Sequence, residues 1–352
     1  MINPGSDPER EPGDVLLSIC IATYNRGHYI AETLRSIVDQ LDDRVELVIV
    51  DGASSDDTVS QVEVFSQRHP QLHFYRESSN SGVDRDFDKA VGYARGRYVW
   101  LMTDDDLCVP HAVETVLSAA RQDDDLIVLN AEVANADFSM VLNKRLLNID
   151  EDVTYRRNHE QLFVDAIQCL TFIGATVIKR DLWVSRERET YYGSLFIHVG
   201  VIFQSPPIER IRIIAEPLVR IRYGNAMWTP RSFEIWMFKW PRLIWSFSDY
   251  DEATKARVTP AEPWRDLRKL FHFRSKNAYT RHEYAAFFTN VPELRYRLLA
   301  RWISVFPVFL ANLLSLLYLA LKHSDNLTPI YDLVNNQPLP PLRRWLQRAY
   351  KF

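Results

Sequence analysis

The sequence predicts an α/β fold: a doubly wound, mostly parallel sheet flanked by helices, followed by a helical C-terminal region. Three observations carry this. Between residues 15 and 135, short apolar runs rich in β-branched residues alternate with segments of helical period. Each run stops on a polar, turn-forming cluster, so the clusters share the edge where the carboxyl ends of parallel strands face a ligand crevice. Past residue 225 the alternation gives way to tryptophan, arginine and one long apolar segment.

Residues 1–14 are polar, with Pro, Gly and acidic side chains and no apolar signal sequence, and read as a disordered lead-in. Leu16–Ala22 is the first strand and ends in Thr23–Gly27; Ile30, Leu34, Ile37, Val38 and Leu41 then mark a helix. Val45–Val50 is the second strand, ending on Asp51-Gly52, with a helix through Arg68 for which Ser55 is the N-cap candidate. Leu72–Arg76 is the third, followed by Ser78–Gly82 and a helix from about Asp84 to Arg95. Tyr98–Met102 is apolar enough for a strand buried on both faces, and it stops on Asp104-Asp105-Asp106. A helix from Pro110 to Arg121 and a strand at Leu126–Leu129 complete the alternation.

Beyond Ala134, residues 137–157 read as an irregular excursion and Gln161–Leu170 as a short amphipathic helix. Phe172–Ile178 reads as a strand with a successor helix carrying Arg180, Trp183, Arg186 and Glu189. Leu195–Ile202 is a further apolar, strand-like run with His198 inside it, and Ile211–Tyr223 resembles a strand pair around Pro217. Trp228, Trp236, Trp240 and Trp245 with Arg231, Lys239 and Arg242 form an aromatic and basic stretch, read either as packing or as a wall for a sugar or lipid. The expected organisation is a catalytic domain at 15–225, its halves at 15–135 and 136–225, and a helical region at 226–352.

The 352 residues are 47% hydrophobic, which marks a globular chain of about two domains. The net charge of −4 conceals a split: residues 1–200 carry 19 Lys+Arg and 34 Asp+Glu, net −15, and residues 201–352 carry 23 and 12, net +11. A metal and phosphate suit the first part, and an anionic surface suits the second. Nucleic acid is disfavoured, because the basic residues are interleaved with apolar ones and no zinc-finger or RNP spacing occurs. Cys20, Cys108 and Cys169 are widely spaced and read as free thiols of a reducing compartment.

Trp302–Leu321 holds 16 apolar residues in 20, long enough to span a bilayer. Pro307 would kink it, and Arg301, Ser304, Ala311, Asn312, Ser315 and Lys322 draw a narrow polar stripe, so a monotopic helix in the interface competes with a span and with a buried helix. Arg295, Arg297, Arg301, Lys322 and His323 flank it with positive charge.

Four clusters converge on one sheet edge: Thr23–Arg26, Asp51 with Ser54–Asp57, Asn80–Gly82, and the aspartate triplet. Three adjacent carboxylates repel one another and lose hydration where covered, which a divalent cation relieves. Hard oxygen ligands suit Mg²⁺ or Mn²⁺ with substrate phosphates completing the shell, whereas the plainer reading is an acidic turn leading into a helix. Neither a P-loop nor the dinucleotide Gly-x-Gly-x-x-Gly is present.

Ser18–Arg26, Val48–Thr58, Asn80–Gly82 and the triplet as a DxD motif together resemble the family 2 glycosyltransferases, which have the GT-A fold, a Rossmann-like sheet; the resemblance is strong over residues 15–135. More loosely, Ser81–Ala90 and Gly193–Gly200 resemble the abequosyltransferase-type enzymes of bacterial O-antigen assembly. The resemblance implies a hexosyl-type transferase with a nucleotide-diphosphate sugar donor, possession of Mn²⁺ or Mg²⁺, and a lipid-linked saccharide acceptor at the cytoplasmic face of the bacterial inner membrane. It implies that Thr23, Asn25 and Asp51 hold the nucleotide, that Asp104 touches ribose or metal, and that Asp106 ligates the metal. Tyr24, Arg26, Ser54, Ser81, Gly82, Asp84, Lys89 and Asp105 complete the donor candidates.

Inverting members of that family carry a carboxylate base in the second half. At the corresponding place this chain has His198, which with Asp105 makes up the catalytic candidates; Asp165, Glu187 and Glu189 are the alternative bases, and a retaining reaction on a deoxysugar donor is the variant without one. A non-catalytic membrane-anchored nucleotide-sugar or glycan-binding protein and a nucleotidyltransferase are the rival functions.

Overall fold

The computed structural model describes residues 15–156, 159–225, 227, 229–322 and 324–352, so the lead-in at 1–14, Trp228 and His323 lie outside the described residues. The chain divides into two compact units. One takes the N-terminal part through Ala131, Leu147–Phe203 and Pro207–Arg220; the other takes Glu132–Leu146, Gln204–Pro206 and Ile221–Phe352. The sequence had suggested a single crossing near residue 225.

The elements of the first unit begin with β1 (Leu17–Thr23), α1 (Gly27–Val38), β2 (Val45–Asp51), α2 (Thr58–Ser66), β3 (Leu72–Arg76), α3 (Val83–Tyr93) and β4 (Tyr98–Met102). They continue with β5 (Leu107–Cys108), α4 (Ala112–Ala120) and β6 (Leu126–Ala134), whose last residues belong to the second unit, as does β7 (Val141–Asn143). Then come β8 (Val153–Arg156), α5 (His159–Ala166), β9 (Thr176–Lys179), α6 (Arg180–Ser185), α7 (Ile197–Phe203) and β10 (Arg210–Arg222). The strand order is β3-β2-β1-β4-β9-β6-β10-β5, with β7 on β6 and β8 on β10. The pairs β3–β2, β2–β1 and β1–β4 are parallel, and β9 joins β4 and β6 antiparallel.

Every residue of β1, β2 and β4 is buried, as their unbroken apolar character requires of central strands. The two polar residues inside these runs pair with each other: Ser18 Oγ donates to Glu46 at 2.6 Å, and Arg95 donates to the same carboxylate through its backbone N at 2.6 Å and its Nε at 2.9 Å, while Thr23 and Asp51 close β1 and β2. Helix α1 covers this sheet with Ile30, Leu34 and Ile37, all fully buried. Three buried cysteines are free, and burial pushes their thiols above the ordinary range.

Several local expectations are corrected. The apolar run at 195–202 is not a strand but the seven-residue helix α7, buried throughout; with no polar face it has no helical period to read. Pro217 does not separate two strands, since β10 is continuous, and the proline falls between its pairing with β8 at 210–213 and with β5 at 219–220. Ser55 is not the cap of α2; its N–H and hydroxyl go to Asn25 Oδ1. The 137–157 excursion contains β7 and β8, and the strand expected at 172–178 forms only from Thr176 onward as β9, with a short 3₁₀ turn at Ile173–Ala175 before it.

The second unit is helical past β10. A short α8 (Ser232–Glu234) runs through a π turn into α9 (Trp240–Ser246), then α10 (Glu252–Val258), α11 (Leu267–Ser275), α12 (Arg281–Phe287), α13 (Leu294–Val305), α14 (Val308–Lys322), α15 (Thr328–Asn335) and α16 (Pro340–Tyr350). Phe233 stacks on Tyr279 at 4.8 Å and Phe238 on Phe287 at 4.5 Å, and Trp236 packs on the same cluster. The described part of the aromatic stretch thus packs into the core of the second unit itself. The segment 302–321 is not one helix: α13 and α14 meet at Phe306-Pro307 with a bend of 98°. Arg274 Nε caps the break by donating to Phe306 O at 2.7 Å.

Candidate active site

Four parallel strands deliver four polar side chains in a row. The register sets Arg76 beside Asp51 and Asp51 beside Thr23, while Ile21 faces Met102, so two residues further on Asp104 comes level with Thr23. At about 4.8 Å per strand the row is roughly 14 Å long. Arg76, Asp51 and Thr23 end their strands and Asp104 lies two residues past β4, at the edge the sequence had indicated.

The connecting loops are fixed to one another by side-chain to backbone bonds. Asn25 has a left-handed backbone (φ 53°), tolerable for this residue, and its Oδ1 accepts from Ser55 N at 2.8 Å while its own N–H donates to Ser54 Oγ at 2.8 Å. Arg26 N donates to Thr58 Oγ1 at 2.7 Å, and Gly27 N donates to Asp56 Oδ2 at 3.0 Å. Asp51, fully buried, accepts Ser54 N at 3.0 Å, with Arg76 Nε 3.7 Å from its carboxylate. Ala53 also stands at positive φ (63°), a strained position for a β-carbon-bearing residue at the mouth of the site.

The triplet is enclosed: Asp104 and Asp105 are 9% exposed and Asp106 3%. Arg26 lies among them, with Nε 3.5 Å from Asp104 and Nη2 3.3 Å from Asp105. Asp106 accepts the Thr103 hydroxyl. Burial, with the neighbouring charge of Asp105, pushes Asp104 up to about 7 despite Arg26. The Thr23 hydroxyl beside it is buried without an aligned hydrogen-bond partner among the described residues. Hard carboxylate oxygens short of positive charge fit Mg²⁺ or Mn²⁺. Among the described residues no three His, Cys, Asp or Glu side chains form a metal cage, so a cation here would take one or two carboxylates and complete its shell with phosphate and water.

The third loop is held from beneath. Gly82 has φ 91°, open to glycine only at low cost, and its N–H donates to Asn80 Oδ1 at 2.8 Å. Ser81 Oγ donates to Asp86 at 2.6 Å, and Lys89 Nζ reaches Glu77 at 2.7 Å and Ser81 Oγ at 3.0 Å. Lys89, expected at the donor, therefore braces the loop. Tyr24 is half-buried at the start of the first loop.

Two further candidates are placed differently from expectation. Asp84 is 4% exposed and spends its carboxylate on the 193–197 turn, accepting Gly193 N at 2.8 Å, Leu195 N at 2.9 Å and Ile197 N at 3.2 Å. Leu195 sits there at φ 72°, an outlier for a bulky side chain, held by that carboxylate. His198 is 1% exposed; its Nε2 bonds Leu170 O at 2.7 Å, its Nδ1 is buried without a partner, and burial lowers it to about 4. A base must reach the proton it removes. The enclosed ring of His198 instead supports α7, which corrects its assignment as the base. Of the alternatives, Asp165 accepts Tyr155 Oη at 2.8 Å and Gln161 Nε2 at 2.6 Å, and Glu187 accepts Thr190 N at 3.0 Å; Glu187 and Glu189 are exposed.

The sequence missed Arg76, whose only signal was its place at a strand end. It also missed the brace in which Asp88 accepts Trp183 Nε1 at 2.9 Å and Tyr192 Oη at 2.5 Å and pairs with Arg188 at 2.9 Å.

Residues 18–180 match the family described as Glycosyl transferase family 2. The abequosyltransferase RfbV of Salmonella typhimurium is 27% identical over 228 residues, 60% of this chain and 68% of that protein. The chondroitin synthase of Escherichia coli is 32% identical over 122 residues, but the match spans only 18% of its length. Among solved structures, residues 1–349 of S. aureus TarS superpose with a TM-score of 0.52 at 15% identity, covering 96% of this chain and 91% of that one, and a TarS complex with UDP-GlcNAc gives 0.52 at 17%. At such identities the likeness concerns the fold alone, which is the GT-A fold.

Proposed function

The chain is a glycosyltransferase with a family 2 domain at residues 18–180, and from that premise we propose that it moves a sugar of the deoxyhexose kind from a nucleotide-diphosphate donor to a lipid-linked saccharide. We place that activity in bacterial surface polysaccharide synthesis of the O-antigen kind, at the cytoplasmic face of the inner membrane. The observation that supports it best is the row Arg76, Asp51, Thr23 and Asp104 along four parallel strands, ending on the enclosed triplet. It offers acceptors for a base and ribose at one end and a place for a diphosphate at the other.

Asp51, rigidly held by Ser54 N, would accept from the base or ribose, and Thr23 and Asn25 would line the nucleotide. Gly82 lets the third loop approach the donor without a side chain in the way. Asp104 and Asp106 would hold Mn²⁺ or Mg²⁺, with Asp105 kept beside them by Arg26. When bound, the ion neutralises charge on the departing diphosphate. The relation to the abequosyltransferase supports a deoxysugar donor.

A panel of nucleotide sugars, with and without Mn²⁺, tests this by thermal shift, since a specific ligand raises Tm by mass action. One donor should stabilise the chain only with the cation, and Asp106→Asn should lower turnover of that donor by about a hundredfold or more. Undiminished turnover by the variant would remove the metal assignment.

A further inference from the structure

The helix pair at the C-terminal end of the second unit is turned inside out for a protein in water. On α14 the buried stripe holds the polar residue: Asn312 is fully buried, its Nδ2 donates to Leu333 O at 2.7 Å and Ser275 O at 3.1 Å, and Gln337 Nε2 donates to its Oδ1 at 2.7 Å. The polar stripe noted in the sequence therefore faces inward at Ser304 and Asn312, beside Leu316, and most of the other leucines face out. Leu317 is 61% exposed, Tyr318 59% and Leu321 74%, and α13 continues the face with Leu298 and Trp302, each 56%. Contiguous apolar surface of this kind marks a partner or a membrane.

The surrounding charge selects between them. Residues 294–352 carry eight Lys or Arg against two Asp, with Arg295, Arg301 and Lys322 exposed beside the leucines. At the bend, a cavity of about 400 Å³ is lined by Arg274, Asn277, Arg281 and Ser304; Arg274 donates to Phe306 O and Tyr279 O and Ser304 Oγ to Arg301 O, so the exposed guanidinium of Arg281 is the group offered to a phosphate. An aromatic and leucine face ringed by arginine is the pattern of a helix lying in a lipid interface. Spanning is a poor alternative, because α14 has 15 residues, about 22 Å of helix, against a hydrocarbon core of about 30 Å; among the described residues no single helix is long and apolar enough to cross, and α13 with α14 reaches that length only across the 98° bend.

We propose that the outward face of α13 and α14 is a monotopic docking surface for an anionic bilayer, lying in the plane of one leaflet with the arginine-lined cavity at the bend taking a lipid phosphate. The surface deepens, and rests on, the membrane association proposed above. It would hold the enzyme at the interface where a lipid-linked acceptor presents its sugar.

Flotation of the full chain with phosphatidylcholine vesicles, with and without phosphatidylglycerol, tests it. The chain should float with anionic vesicles and at least tenfold less as Leu317→Glu/Leu321→Glu, two solvent-facing changes that leave far-UV circular dichroism unaltered. Arg281→Gln should weaken binding to anionic vesicles about fivefold and leave neutral vesicles unaffected. Brominated lipids should quench the fluorescence of the chain, and less so in Trp302→Phe. Wild-type chain that floats while the leucine variant floats equally well would overturn this face and keep the membrane association; wild-type chain that never floats would overturn both. Self-association in vesicle-free buffer, broken by the leucine variant and without any flotation, would assign the face to a second copy instead.

Discussion

His198 and Asp84 show how far a residue's type lies from its use. Both stood in the sequence as site candidates, and both are buried supports. For His198 the pH consequence has a definite sign. Its folded value of about 4 lies below the model-peptide value of 6.5, so between those pH values the unfolded chain binds the proton and the native chain does not. Stability is therefore complete above pH 6.5 and falls as the pH drops toward 4, by at most about 1.4 kcal/mol per unit. In His198→Gln, whose amide can still donate to Leu170 O, urea denaturation at pH 7 and pH 5 should show a flatter dependence. Turnover should change less than tenfold, whereas loss of a general base costs about 10²–10⁴. Asp84→Asn puts an amide N–H against one of three backbone donors, and should cost about 2 kcal/mol by denaturant titration with faster proteolysis at 193–197. Neither tether was legible, because the partners lie 28 and more than 100 residues away in sequence.

At the scale of elements, the first half of the sheet was legible because each strand is an uninterrupted apolar run with a polar stop. The stops mattered most: Thr23, Asp51 and Asp104 were singled out from sequence, and the parallel register makes them neighbours. Local period failed where burial is uniform, as in α7, and where a proline falls between ladders, as in β10. Close packing between elements was equally invisible. A β-carbon on Gly96 would meet Ser18 N at 2.7 Å and Leu17 C at 2.9 Å, backbone atoms of β1 that cannot swing aside. Gly96→Ala should therefore destabilise the first unit by about 1–3 kcal/mol in urea, with the donor site intact in the fraction still folded.

Across the whole molecule, charge is segregated: residues 221–352 carry 20 Lys+Arg and 10 Asp+Glu, net +10, within a chain of net −4. If that excess meets anionic lipid, raising salt from about 0.1 M to about 1 M, which cuts the Debye length from about 10 Å to about 3 Å, should reduce flotation with anionic vesicles severalfold. Binding that ignores salt would leave only the apolar contact. The same salt step should leave donor binding less affected, since the triplet and Asp51 are enclosed and screened less.

The sequence by itself determined the α/β class, the four clusters at one sheet edge and the resemblance of residues 18–180 to family 2 glycosyltransferases, because period, polar stops and short ordered motifs are local properties of the chain. Only the tertiary structure decided which polar residues face a ligand and which hold the scaffold, and that the apolar segment at 302–321 breaks at Pro307 with its leucines outward. Those outcomes depend on burial and on partners distant in sequence, and a side chain's environment is set by every element packed around it.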